Sequence, residues 1–296
     1  MKNRSSRSIF TVALLILISV VSLFIMYRKF FMSDAASANA LGKVIKTEGS
    51  CYKYDTFNNR WVRLNESDVI TENDILTSES VSESVICLND GSRLCVEENA
   101  RVSVTEDNDS YHIKMNGDGT VIADTMMSEK ELFLQCGQFN EVKLEPKSAV
   151  SLSVRNHKLT AAVYEGCLVT VISDGVENSA GKGSGYIVNE ENSIQRLPVV
   201  VTSPVSEFWK NAIDEECRIK FEWTKNNNSI EYIRIEISSD SAFKSVIKTI
   251  FVDADKLNDE VLLSQGLWYW RLCSVDAEGK IKEPSEKFQS GRIHLK

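Results

Sequence analysis

Apolar and polar residues alternate in short runs along most of the chain, and turn-forming residues separate the runs. The clearest example is Val85-Ile86-Cys87-Leu88 and Arg93-Leu94-Cys95-Val96, on either side of Asn89-Asp90-Gly91-Ser92. This pattern predicts a β-hairpin. A three-residue loop of Asp90, Gly91 and Ser92 keeps the apolar side chains of both strands on one face. We therefore expect Leu88 opposite Leu94, and Cys87 opposite Cys95.

Similar short runs continue toward the middle of the chain. They predict strands at 132–134, 141–144, 150–154, 159–164 and 168–172. Stretches of useful length with the 3.6-residue period of an amphipathic helix are missing. Many short strands at regular spacing favour an all-β sandwich, barrel or β-solenoid-like stack over an α/β enzyme fold.

A second β-rich unit is predicted over residues 201–296. Its alternating apolar positions fall into three strands, namely Ile219, Phe221 and Trp223, then Ile233, Ile235 and Ile237, then Trp268, Trp270 and Leu272. This spacing suits a small β-sandwich with the tryptophans in its core. Tyr269 and Arg271 would then lie exposed on the opposite face, where a Tyr and Arg pair is a candidate binding anchor.

The N-terminal segment has a different pattern. Residues 9–26 include no charged residue, and a helix of that length covers about 27 Å, close to the thickness of a hydrocarbon core. With the interfacial residues that follow, we predict a transmembrane anchor at 9–31 and a linker at 32–40. A cleaved signal peptide ending at Ala38-Asn39-Ala40 and a buried core helix are the alternatives.

The charges around this segment predict its orientation. Lys2, Arg4 and Arg7 precede it, and Arg28 and Lys29 follow it. The positive-inside rule therefore favours a cytoplasmic tail at 1–8, with the C-terminal ectodomain outside the inner membrane in the periplasm.

The ectodomain is acidic. Residues 1–31 hold five basic and no acidic residues, which leaves 29 of the 34 basic residues against all 42 acidic ones, a net charge of −13. Nucleic acid is an unsuitable partner for such a surface, since phosphate binding depends on clustered Lys and Arg. An anionic bilayer surface would also repel it, so the anchor rather than adsorption would hold the chain at the membrane.

Candidate chemistry is sparse. The histidines at 112, 157 and 294 have neither metal-ligand nor triad spacing, and the seven cysteines include no C-x-x-C. Asp107-Asn108-Asp109 lacks the later ligands of a calcium loop, and Gly181-Lys182-Gly183-Ser184-Gly185 lacks the phosphate-loop spacing. We predict no catalytic residue, metal or cofactor, and no enzymatic activity. Cys87 and Cys95 could form a disulfide or remain two unpaired apolar side chains.

Several motifs between Leu41 and Leu197 resemble the FecR domain. They are Gly42-Lys43-Val44, Gly49, Trp61, Leu64, Asp74-Ile75-Leu76-Thr77, the Leu88 to Val96 hairpin, Val163 to Val171 and Gly185. Residues 105–128 and Tyr186 depart from the family pattern. The C-terminal unit is similar to fibronectin type III-like or Ig-like modules.

The resemblance implies a FecR-like periplasmic β-domain at 41–197. It also implies the signalling role of that family, in which a periplasmic domain senses an outer-membrane receptor and a cytoplasmic segment controls a sigma factor. We expect an eight-residue cytoplasmic tail to be too short for that role. The preferred interpretation is a membrane-anchored protein that binds or scaffolds an envelope protein or glycan without catalysis. A regulatory sensor acting through another membrane protein is the alternative, and the oligomeric state is left open.

Overall fold

The computed structural model describes residues 40–56, 58–107, 109–139, 141–171, 177–189, 191, 193–204, 207–210, 216–226, 230–240, 242–281 and 289–296. Within them the chain is nearly all β-strand, which confirms the predicted fold class. A 3₁₀ turn at Ala254–Lys256 interrupts the strands. In this part of the chain no helix is long and apolar enough to cross a membrane, and the anchor predicted at 9–31 lies outside it.

The first unit comprises strands β1 to β18. These are β1 (Ala40–Glu48), β2 (Cys51–Asp55), β3 (Arg60–Arg63), β4 (Val69–Thr71), β5 (Ile75–Ser78), β6 (Glu83–Leu88), β7 (Arg93–Val96), β8 (Arg101–Asp107), β9 (Ser110–Met115), β10 (Gly119–Asp124), β11 (Glu131–Cys136), β12 (Val142–Leu144), β13 (Ala149–Arg155), β14 (Lys158–Glu165), β15 (Cys167–Val171), β16 (Glu177–Gly181), β17 (Gly185–Val188) and β18 (Ile194–Arg196).

These strands form two sheets that share one core. The first sheet has the order β18-β17-β14-β13-β10-β7-β6-β1-β4, and the second has the order β16-β15-β12-β11-β9-β8-β5-β2-β3. The chain passes repeatedly from one sheet to the other and adds strands roughly in sequence order. Neighbouring strands are antiparallel except β9 and β11. Alternate residues of both sheets, such as Ile86, Leu94, Leu132 and Leu152, are buried in a common cluster.

The hairpin of β6 and β7 forms, but the predicted register is wrong by two residues. Ile86 lies opposite Leu94, and Cys87 lies opposite Arg93. The backbone N–H of Leu88 donates to the carbonyl of Ser92 at 2.8 Å, so the loop is Asn89-Asp90-Gly91. A shift of two residues keeps every side chain on its original face, so apolar alternation could not distinguish the two registers.

This register also separates the two cysteines that were expected to face each other. Cys95 lies opposite Val85, not opposite Cys87. Neither forms a disulfide in the structure, and the same holds for Cys51, Cys136, Cys167, Cys217 and Cys273.

The second unit comprises strands β19 to β26. These are β19 (Val199–Ser203), β20 (Glu207–Lys210), β21 (Glu216–Lys225), β22 (Tyr232–Ser238), β23 (Val246–Asp253), β24 (Asn258–Ser264), β25 (Gly266–Val275) and β26 (Gln289–Leu295). The order β19-β21-β24 forms one sheet, and β20-β26-β25-β22-β23 forms the other. Their facing side chains form a second core.

Trp223 and Trp270 occupy the predicted core positions of the second unit. Trp270 is fully buried and Trp223 is buried, while Trp268 packs at the edge of the core. Phe221 and Trp270 meet edge to face, with ring centroids 5.6 Å apart. Aromatic residues at every second position therefore hold the two sheets together.

The two units contact each other through a small apolar cluster. Ala162 and Ile187 of the first sheet pack with Leu197, which lies between β18 and β19, and with Val200 of β19. Gly183 has a φ of 72°, and a side chain there would begin 2.4 Å from the hydroxyl of Thr224. These contacts bring the outer face of the first sheet against the second unit.

Candidate ligand site between the two units

Strands β25 and β26 turn a polar face toward the first unit. Their alternate residues Trp270, Leu272, Ile293 and Leu295 belong to the second core. The residues between these positions, on the opposite face, are Tyr269, Arg271, Arg292 and His294. Tyr269 and Arg292 are direct cross-strand partners. The polar positions of two neighbouring strands thus form one continuous surface.

Glu83 is the centre of a buried ionic cluster between the units. Its side chain is fully buried, and it pairs with Lys46 of β1 and with Arg292. Arg292 Nη2 lies 2.7 Å from Glu83 Oε2, and its side chain is only 6% exposed. Two positive groups therefore compensate one carboxylate that has no access to water.

His294 and Glu48 complete this inter-unit cluster, which we define as Lys46, Glu48, Glu83, Arg292 and His294. His294 Nδ1 lies 3.5 Å from Glu48 Oε2. Burial lowers the pKa of His294 to about 4, and the nearby Glu83 carboxylate opposes that shift. The imidazole is therefore neutral at pH 7, and acidification would introduce a further positive charge into the cluster.

Three members of the cluster also have a spacing that a metal ion could use. Ligand atoms of Glu48, Glu83 and His294 lie within 4.8 Å of one another. However, Glu83 is already in contact with Lys46 and Arg292. A metal cation would enter beside two fixed positive charges, so the charge balance fits ion pairing better than metal coordination.

Glu97 connects the inter-unit cluster to an adjoining cleft. Its Oε1 lies 3.9 Å from Arg292 Nη2. Burial raises the pKa of Glu97, and the nearby Arg292 only partly opposes that shift. Glu97 therefore takes up a proton more easily than an exposed glutamate does.

The cleft has a volume of about 380 Å³ and is lined by both units. Its floor is the outer face of the first sheet, where β10, β13 and β14 lie side by side. The floor side chains are Thr120, Ser151, Ser153, Thr160 and Ala162. Thr120 Oγ1 donates to Ser153 Oγ at 2.9 Å. Most of the floor therefore presents hydroxyl groups, each able to donate and to accept hydrogen bonds.

The opposite wall of the cleft contains Tyr269 and Arg271, the two candidate binding residues. The expectation that both would be exposed is wrong, since Tyr269 is 5% exposed and Arg271 is half-buried. Arg271 Nε donates to Glu236 Oε2 at 2.5 Å, and its guanidinium lies 4.3 Å from the centre of the Phe243 ring. The first unit covers this face of the sheet, which the sequence of the second unit alone could not reveal.

Arg155 and Lys158 lie at the edge of the cleft that the first unit contributes. They are cross-strand partners on either side of the turn Asn156-His157, whose two residues both have positive φ. Arg155 is exposed and makes no ion pair within the residues that the structure describes. The tight turn therefore places two cations next to each other.

The other two histidines are not part of the inter-unit cluster, and neither lines the cleft. His112 stacks on Phe133 with ring centroids 5.0 Å apart, and His157 lies in the exposed turn between β13 and β14. Sequence reasoning did not find Glu83, Arg292 or the hydroxyl floor. Two sequence features could have indicated them. One is the glutamate at the start of the otherwise largely apolar strand β6, and the other is the set of polar positions in β26 that alternate with Ile293 and Leu295.

Taken together, the fold and site define an all-β protein of two units with a polar cleft and a buried ionic cluster between them. No protein-family model and no curated protein matches the sequence. Two solved structures from Parabacteroides distasonis ATCC 8503, each described as a proposed anti-sigma factor, are similar at a TM-score of 0.37. One is 10% identical and covers 53% of this chain and 92% of its own. The other is 9% identical and covers 60% and 98%. Likeness at this level carries no functional inference.

Proposed function

We propose that the chain is a membrane-anchored, extracytoplasmic binding protein that holds a polar ligand in the cleft between its two units and performs no catalysis. The observation that carries this proposal is the cleft itself. It has a volume of about 380 Å³, within the usual range of ligand pockets, and both units line it with polar groups. A site built from two units also couples ligand binding to their relative position.

The composition of the lining supports a binding role over a catalytic one. The described side chains around the cleft include no His, Cys or Asp. The hydroxyls of Thr120 and Ser153 bond to each other rather than to a base. Nucleophilic catalysis by a hydroxyl needs an activating base within hydrogen-bond reach, and the Thr120–Ser153 pair does not include one.

The membrane location rests on the sequence. The uncharged run at 9–26 suits a spanning helix, and the motifs between Leu41 and Leu197 resemble a periplasmic domain. A partner in the cell envelope, either a protein or a glycan, fits both features. The regulatory sensor is the alternative, in which the partner would be another membrane protein.

Site-specific photo-crosslinking of the full-length chain in membranes tests the proposal. A photoreactive residue in place of Ser153, on the cleft floor, should capture an envelope component. The same residue in place of Val62, exposed on the edge strand β3 of the other sheet, serves as the control. A product formed from position 153 and not from position 62 is expected.

The identity of the product separates the two functions. A structural envelope protein or polymer supports binding or scaffolding, whereas a transducing membrane subunit supports the sensor. No product from position 153, or equal labelling from both positions, would contradict ligand binding in the cleft.

A further inference from the structure

One turn of the first unit presents apolar side chains to solvent. It joins β10 to β11 and runs from Thr125 to Ser128, and we call it the methionine turn. The N–H of Ser128 closes it by donating to the carbonyl of Thr125 at 3.0 Å. At its tip Met126 is 42% exposed and Met127 is 78% exposed, the highest value among the large apolar side chains exposed in the described ranges. The tip of a turn usually holds Gly, Pro, Asn, Asp or Ser, so two methionines there are not explained by the turn itself.

The residues on either side hold the two methionines outward. Thr125 is fully buried, and its hydroxyl donates to the carbonyl of Ser148 at 3.1 Å. Ser128 is only 1% exposed, and its hydroxyl donates to the carboxylate of Asp90. Both ends of the methionine turn are therefore fixed. An apolar tip that is already held in place loses little conformational entropy when a partner covers it.

The methionine turn lies beside the start of the described chain, and the β6–β7 loop connects the two. Asn89 Nδ2 donates to the carbonyl of Ala40 at 2.5 Å. The next residue, Asp90, accepts the hydrogen bond from the methionine turn. A Cβ atom on Gly91 would lie 3.4 Å from Cβ of Met127. Three consecutive loop residues thus contact Ala40 on one side and the methionine turn on the other.

The sequence that precedes Ala40 indicates the partner. It predicts a membrane anchor at 9–31, which is part of the proposed function, and a nine-residue linker at 32–40. Nine residues span at most about 30 Å when fully extended. The linker therefore keeps the end of the first unit that carries the methionine turn close to the bilayer surface.

Charges of both signs lie in or beside the methionine turn. The acidic residues are Asp90, Asp124 and Glu129, and the basic residues are Arg93, Lys130 and Lys147. Such a mixture gives no net attraction to an anionic surface. Contact with the membrane would depend on the transfer of apolar side chains out of water, which a zwitterionic lipid provides as well as an anionic one.

The cleft and the inter-unit cluster lie toward the other end of the first unit. Strand β1 begins at Ala40 and ends at Glu48, a member of the inter-unit cluster. Strand β10 ends at Asp124, next to the methionine turn, and Thr120 near its start lines the cleft. A strand of nine residues is about 25–30 Å long. Contact between the methionine turn and the bilayer would therefore point the cleft away from the membrane.

We infer that the methionine turn rests on the extracytoplasmic surface of the membrane that holds the anchor, with Met126 and Met127 in contact with lipid acyl chains. This inference rests on the proposed membrane location and adds a second point of contact to it. A helix and a linker alone leave the ectodomain free to rotate. The helix and the methionine turn together fix its orientation, so that the cleft opens toward a partner in the envelope.

Photo-crosslinking of the full-length chain in phosphatidylcholine proteoliposomes tests the inference. Benzoylphenylalanine in place of Met127 should form an adduct with the lipid. The control position is Val81, which is apolar, half exposed and located before β6, at the opposite end of that strand from the β6–β7 loop. It should form no lipid adduct. Benzoylphenylalanine in place of Leu17, within the predicted anchor, reports separately whether the chain is inserted in the membrane.

Two substitutions test the chemistry of the contact. With benzoylphenylalanine at position 126, Met127→Glu should lower lipid labelling about tenfold, because a charged side chain opposes contact with hydrocarbon. Met127→Leu should leave the labelling unchanged. Met127 is largely exposed, so both variants should fold like the wild type.

The outcomes separate this inference from the proposed function. Lipid adducts from position 17 but not from position 127, or equal adducts from positions 127 and 81, would overturn the inference and leave the proposed membrane location intact. Equal labelling of Met127→Glu and Met127→Leu would also overturn it. Absence of a lipid adduct from position 17 would contradict the membrane location itself, and with it this inference. Capture from position 153 tests the cleft independently of all these results.

Discussion

The inter-unit cluster and the cleft lie next to each other and are built from the same kinds of side chain, yet their surroundings differ. In the inter-unit cluster Glu83 is fully buried and Arg292 is 6% exposed. In the cleft Arg155 is exposed to solvent and has no ion-pair partner in the described part of the chain. Arg292 contacts both regions, since it pairs with Glu83 and also lines the cleft.

This difference shows how burial assigns a role to a charge. A charge removed from water must be compensated by its neighbours, so the buried Glu83 and Arg292 depend on each other and their pair couples the units. A charge at the rim remains hydrated and contributes little to folding, which leaves it available for a ligand. Three substitutions test this comparison.

Glu83→Gln should have the largest effect, because it removes the carboxylate that compensates both Lys46 and Arg292. Leaving a buried charge without its partner costs about 3–5 kcal/mol of the free energy of unfolding. Urea unfolding of the full-length protein in detergent measures this loss of stability. The control is Glu260→Gln, which breaks an exposed ion pair with Arg218 and should cost less than about 1 kcal/mol. Similar losses for both variants would show that the inter-unit cluster does not couple the units.

His294→Gln should remove part of the pH dependence of stability. The pKa of His294 is lowered to about 4 by burial, so between pH 6.5 and 4 the unfolded state binds a proton that the folded state does not. Wild-type stability should therefore fall as the pH drops through this window, and the fall should be smaller in the variant.

The raised pKa of Glu97 acts in the opposite direction, because its folded state takes up a proton before the unfolded state does. The difference in the pH dependence of stability between wild type and His294→Gln gives the contribution of the histidine, since Glu97 is present in both proteins. Thermal unfolding at a series of pH values measures it, and His157→Gln, in the exposed turn, is the control. If His157→Gln changes the pH dependence as much as His294→Gln does, the buried histidine is not its source.

Arg155→Ala should have the smallest effect on stability. Its side chain is exposed and unpaired among the described residues, so the free energy of unfolding should change by less than about 0.5 kcal/mol. The same urea titration measures the change. A loss comparable to that of Glu83→Gln would mean that the rim of the cleft stabilises the fold, and that the contrast between the two regions is incorrect.

The sequence alone determined the fold class and the composition of the second core. Alternating apolar positions predicted β-strands, and Trp223 and Trp270 are buried where that alternation places them. These features depend on side-chain order within single strands, which the sequence specifies directly. The sequence did not determine the register of the β6–β7 hairpin. Cys87 pairs with Arg93 instead of the expected Cys95, and both pairings bury the same faces of the strands.

The functional surface was decided only by the tertiary structure. The alternation in β25 correctly placed Tyr269 and Arg271 on the face opposite Trp270, but it could not show that another unit covers that face. The Glu83–Arg292 pair joins positions more than 200 residues apart in sequence. Both outcomes depend on how two independently patterned units meet, and the pattern within one strand contains no information about a neighbour from the other unit.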